Sequence, residues 1–168
     1  MKRRNFIKKT ILLASMVFCI LLSSAGSIFA ADRAGEIDGA YVIYHEDGSY
    51  TVISAVEYGE VASSERSSTR TVFGKKDVTH YTSDGSVLWV YYLRAYFDYI
   101  EGVSVECTDA MDSYDIESSN WEFAEGEAVC SGNQAIASAT FKEKVLFVTL
   151  STIPVTITIT CDEYGNLS

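Results

Sequence analysis

The chain of 168 residues has little of what enzymes and metal proteins are usually built from. It has two histidines, four cysteines and one proline. His45 and His80 each stand alone in a strand-like run, without a second histidine or a cysteine at ligand spacing, and each reads as structural. No C-x-x-C occurs, which argues against a thioredoxin-like redox site and a zinc knuckle. No G-x-S-x-G and no Ser/His/Asp grouping can be assembled, so no catalytic residue is assigned and the chain is read as a non-enzyme. Basic residues are scarce too, 13 against 23 acidic ones. Helix-period apolar patterns are nearly missing beyond residue 30.

What is present begins with the N-terminus. Lys2, Arg3, Arg4, Lys8 and Lys9 form a basic segment, residues 11–22 an uncharged apolar core, and "SSAGSIFA" follows. This is the anatomy of a secretory signal peptide, with cleavage expected after Ala30. The apolar core is short for a span of about 20 residues, so an uncleaved anchor is the lesser reading. "RRNFIK" resembles a twin-arginine export motif, but a basic segment is required there in any case. Cys19 follows bulky Phe18 and reads as an ordinary apolar residue rather than a lipid attachment site. Cleavage leaves 138 residues with 8 basic and 23 acidic side chains, a net charge of −15. Such a chain repels nucleic acid and anionic membrane surfaces. A secreted, extracellular protein is expected, with membrane contact only through the signal peptide before cleavage.

Strand signals dominate the rest: Tyr, Val, Ile, Thr and Phe at period two, punctuated by Gly and Asp. Residues 41–54 read as a hairpin turning at Asp47-Gly48. Residues 57–70 are Ser-rich and charged and read as a flexible linker. Strands are expected over 72–81, 87–99, 102–107, 120–130, 134–141, 145–150 and 155–161, with Pro154 at a strand start and an acidic loop, "TDAMDSYD", after Cys107. The expected organisation is a signal-peptide helix over 1–30, a short hairpin and linker over 31–70, and one domain over 71–168. The fold class is all-β, a single antiparallel β-sandwich of immunoglobulin-like architecture.

Three cysteines follow residue 30. Cys107 shares a strand face with Val103 and Val105, and Cys161 shares one with Val155, Ile157 and Ile159. Both faces belong inward by apolar alternation. Cys107–Cys161 is therefore the expected disulfide, closing 54 residues and worth about 4 kcal/mol in the chain-entropy model, while Cys130, beside the 131–133 turn, is left as a spare thiol. Asp109, Asp112 and Asp115 supply an oxygen-rich stretch. It lacks the alternation and Gly of an EF-hand, so no metal is assigned and a weak Ca²⁺ site is the most these residues suggest. In "VLWVYYLRAYFDY", Trp89, Tyr91, Leu93, Ala95, Phe97 and Tyr99 read as a core face. Tyr92, Arg94 and Tyr96 lie on the opposite face. Tyrosine, with an apolar body and a polar tip, suits contact with a sugar or a protein.

The order Cys107, Trp121, Cys161 resembles the immunoglobulin pattern. Ile159 stands where that family has Tyr, however, and seven residues after Cys161 leave no room for its last strand, so the architecture is kept and the family is not. A second resemblance covers residues 79–168. "YTSDGSVLWVYYLRAYFDYIEGVSVECT", "SSNW", "SGNQAIASATFK" and "VTITITCDEYGNLS" resemble an uncharacterised family of small secreted β-rich proteins of Gram-positive, Clostridia-like bacteria. The resemblance implies export and a β-rich fold and carries no activity, cofactor or site residue. The expected role is a non-enzymatic binding or cell-surface structural one, with an unknown extracellular protein or glycan as partner. A secreted bacteriocin-like toxin is the alternative, and a hydrolase using Asp109, Asp112 or Asp115 is the last choice.

Overall fold

The computed structural model describes residues 33–37, 40–61 and 68–168, and the expected signal peptide lies outside them. Residues 31–168 form one compact unit. Among the described residues ten strands build it: β1 (Arg33–Ile37), β2 (Ala40–Tyr44), β3 (Tyr50–Ile53), β4 (Glu57–Val61), β5 (Arg70–Tyr81), β6 (Val87–Ile100), β7 (Ser104–Ile116), β8 (Trp121–Ser131), β9 (Gln134–Val145) and β10 (Val148–Thr160). The seven-stranded sheet has the order β1-β2-β3-β5-β6-β7, with β4 also on β5. The second sheet has the order β10-β9-β8. All pairings are antiparallel, and the two sheets pack into a β-sandwich.

The core follows the pleat. Successive side chains of a strand point to opposite faces, and on β6 Trp89, Tyr91, Leu93, Ala95, Phe97 and Tyr99 are all buried. From the small sheet Ala135, Ala137, Ala139 and Phe141 of β9 and Val155, Ile157 and Ile159 of β10 meet them. The three alanines let the sheets approach where β6 carries its largest rings, and Phe141 stacks on Trp89 with centroids 4.0 Å apart. Each of the large apolar side chains buried here contributes roughly 1.5–3 kcal/mol of transfer free energy, and each alanine less.

Several expectations are corrected. The acidic "loop" is the second half of β7, paired with β6 through Ile116↔Trp89. An extra residue, Thr108, is bulged between Cys107 and Asp109, and the bulge hid the continuity of the strand from an alternation reading. Residues 145–150 and 155–161 are not two strands. The hairpin turns at Leu146-Phe147, and β10 then runs unbroken past a bulge after Thr149. Pro154 therefore lies inside β10, an edge strand of its sheet, where a missing N–H is tolerated. The segment 57–61, expected as linker, is β4, and it pairs with Thr71–Lys75 of β5 while β3 pairs with Val78–Tyr81 of the same strand. The boundary expected at 70/71 thus runs through one sheet. Residues 62–67 of the expected linker lie outside the described residues.

The last seven residues fold back onto the end of β10. Asp162 accepts hydrogen bonds from the backbone N–H groups of Tyr164 and Asn166 and from Asn166 Nδ2. Gly165 supplies φ +82°, in the left-handed region that glycine enters freely. The turn brings Ser168 beside Thr160, and the two exchange backbone hydrogen bonds of 2.9 Å. Leu167 pairs with Cys161 and packs against the partly open seam between β10 and β5 near Gly74.

Candidate functional site

The outer face of the seven-stranded sheet, away from the small sheet, carries Phe73, Lys75, Asp77 and Tyr81 from β5 and Tyr92, Arg94, Tyr96 and Asp98 from β6. Register places Phe73 opposite Tyr96, Lys75 opposite Arg94 and Asp77 opposite Tyr92. The Phe73 and Tyr96 rings are tilted with centroids 5.1 Å apart. Lys75 Nζ sits 5.3 Å from the Tyr92 ring centre and 3.9 Å from Glu57 Oε2. Arg94 is exposed, with Met111 of β7 opposite it. Burial, then the hydrogen bond Tyr92 makes with Asp115, pushes its phenol above the ordinary value. On the same face Tyr50 stacks on Tyr81 at 4.8 Å, and Tyr44 leans on Tyr50 at 5.9 Å. Tyr92, Arg94 and Tyr96, the residues expected as a binding surface, thus share one open face with a second aromatic group the sequence reading did not single out.

Asp109, Asp112 and Asp115 do not converge. Asp109 and Asp115 oppose Tyr96 and Val90 on the outer face, six residues or about 20 Å apart along the strand. Asp112 faces the other way and accepts a hydrogen bond of 3.0 Å from Tyr91 Oη, which also reaches Ser138 O at 3.1 Å. Burial and the negative charge of Asp112 hold the Tyr91 phenol well above its usual value. A shared Ca²⁺ site or a carboxylate pair needs oxygens within one coordination sphere, and this geometry spreads them along a rod. Among the described residues no group of three or more His, Cys, Asp or Glu could hold a metal ion.

The disulfide is Cys107–Cys130, with Cα atoms 5.4 Å apart, and Cys161 is the buried free thiol. Cys107–Cys161 is therefore corrected. Alternation placed both cysteines inward correctly, but it fixes depth and not lateral position. Cys107 lies on β7, which adjoins β8, whereas Cys161 follows β10 on the far side of β9. β9 lies between β8 and β10, so Cys161 stands about two strand spacings, roughly 10 Å, across the small sheet from the strand that carries Cys130, the cysteine beside Cys107. Burial pushes the Cys161 thiol up to about 11 and Asp162 adds to the effect, so it is a poor nucleophile.

The two histidines, read separately in sequence, meet. Thr51 Oγ1 lies 2.9 Å from both His45 Nε2 and His80 Nδ1. One hydroxyl donates a single proton, so it gives to one ring and accepts from the other. Register explains the meeting: β2-β3 is a hairpin, and Thr51 of β3 lies opposite His80 of β5. His80 is 1% exposed, stacks on Trp89 at 5.1 Å and meets Trp121 edge-on at 5.3 Å. The signal was the antiparallel pairing of β3 with β5, which skips β4 and is invisible to local spacing. On the outer face of the small sheet Glu125, Glu127, Ser138, Thr140, Pro154 and Thr156 line a shallow polar depression of about 480 Å³. No residue expected from the sequence lies in it.

The structure defines the class, an all-β antiparallel sandwich. No family model, curated protein or solved structure matches the chain, so the geometry is the only guide to what it does.

Proposed function

We propose that this is an exported, non-enzymatic binding protein that takes a neutral extracellular polysaccharide on the outer face of its seven-stranded sheet. The observation that carries the reading is the clustering there of accessible aromatic rings, most with polar tips: Tyr92 and Tyr96 beside Phe73, and Tyr81 stacked on Tyr50 with Tyr44 tilted against it. Sugars present C–H faces to aromatic rings and hydroxyls to carboxylates and cations. Asp115, Asp77 and Asp98 supply the acceptors around these rings, and Arg94 and Lys75 the donors. The acidic balance favours a neutral polymer over an anionic one.

The test is binding of the purified 31–168 chain to insoluble neutral and anionic cell-wall polysaccharides, compared with the Tyr92→Ser/Arg94→Ser/Tyr96→Ser variant. Retention on the neutral polymers, lost in the variant while the circular dichroism of the sandwich is kept, supports the reading. Equal retention of variant and parent, or capture of a protein partner with no polysaccharide bound, overturns it.

A further inference from the structure

The β9–β10 hairpin outruns its sheet. The last pair between β8 and β9 is Trp121↔Glu143, whereas β9 and β10 continue to Val145↔Val148. The turn therefore projects two residues, about 7 Å, past β8. Its apex is apolar: Leu146 is 89% and Phe147 100% exposed, flanked by exposed Val145, Val148 and Leu150. Leu146 adopts φ +58°, the one non-glycine residue at positive φ among those described. Turns of this kind favour Gly or Asn there, and a branched apolar residue is held at a cost of about 1 kcal/mol. A backbone strained to present Leu and Phe to water points to a role outside the fold.

The charge pattern is equally local. Residues 145–161 carry no charge of either sign, in a chain with 23 acidic residues. Two of its few lysines, Lys142 and Lys144, stand at the base of the apex, and Lys144 reaches Glu122 at 2.5 Å. A convex tip of five apolar residues falls far short of the 20–30 residues a side of a stable protein interface. A fluid bilayer needs no matching groove.

We propose that this hairpin tip inserts into the interface of a lipid bilayer, with Leu146 and Phe147 below the headgroups and Lys142 and Lys144 level with the phosphates. The apex is then a membrane-docking site separate from the tyrosine face, and it does not depend on the polysaccharide reading. Insertion works by apolar contact alone, because the acidic body is repelled by anionic lipid.

The experiment is flotation of the 31–168 chain with phosphatidylcholine vesicles, and with vesicles containing about a third phosphatidylglycerol, at low and high salt. The comparison is Leu146→Gly/Phe147→Ser, in which glycine relieves the strained φ, so the variant keeps its fold and its melting temperature. The parent is expected to float with phosphatidylcholine vesicles, and the variant's partition to fall at least about tenfold. Binding to the anionic vesicles is expected to be weaker at low salt and to recover at high salt. No partition of the parent into either vesicle, equal partition of parent and variant, or a dimer in sedimentation that the variant abolishes would each overturn the proposal.

Discussion

Replacing His80 by phenylalanine isolates one buried titratable group. Burial, and then the neighbouring His45, lower the His80 imidazole from 6.5 to about 4, and Asp47 opposes the shift only in part. The folded protein therefore holds the ring neutral, while the unfolded chain takes up a proton near pH 6.5. The stability this contributes is complete above pH 6.5 and is lost as pH falls towards 4. One unit is worth about 1.36 kcal/mol, so between pH 7.5 and 4.5 the parent loses about 2.5 kcal/mol of unfolding free energy through this group. For a domain with a total of roughly 5–15 kcal/mol that is a large share. Asp47, Asp84 and Asp162 are held below the usual carboxylate range, so their stabilising effect persists until the pH is lower still. The assay is urea unfolding at pH 7.5 and 4.5, followed by circular dichroism and by the fluorescence of Trp89 and Trp121, which lie against the ring. The variant is expected to start lower at pH 7.5 by about 1–3 kcal/mol, because Thr51 loses a buried partner, and then to fall much less than the parent. Parallel losses in the two proteins would refute the reasoning.

Peptide mapping without reductant is expected to recover Cys107 joined to Cys130 and Cys161 unmodified by alkylating reagent until the chain is unfolded. Cys107→Ala/Cys130→Ala is expected to lower stability by about 3 kcal/mol, the chain-entropy value for a loop of this length, measured by urea titration. Gly165→Ala places a Cβ within 2.6–2.9 Å of the Tyr99 ring at a positive φ, and a loss of at least about 2 kcal/mol with faster exchange of the Ser168 amide is expected. Gly126→Ala meets the Phe123 ring at 2.6 Å and Asp112 Oδ2 at 3.1 Å, so destabilisation of about 1–3 kcal/mol in thermal melts is expected.

The pleat made depth legible from sequence and left lateral placement dark. On β6, alternation alone separated the buried row from Trp89 to Tyr99 from the open row holding Tyr92, Arg94 and Tyr96, because period two is a property of a single strand. The partners of a strand are a property of the sheet. Thr51 meets His80 because β3 skips β4 to reach β5, and no spacing along the chain encodes that skip. The cysteines divide along the same line. Parity puts Cys107 and Cys161 inward, as they are, but says nothing of lateral position, and Cys130, opposite buried Ala135, is exposed. What chose among them was adjacency: Gly132 O, in the turn after Cys130, accepts the Cys107 N–H at 2.8 Å, while Cys161 is held by Asn133 on the other side of the same turn. A two-residue-wide turn thus sits between two inward cysteines and admits only one to the bond. The closing segment repeats the lesson. "CDEYGNLS" is rich in turn formers, and turn formers reverse a chain. Here the reversal lays Leu167 against β5 near Gly74, at the seam that the three-stranded sheet leaves open beyond β10.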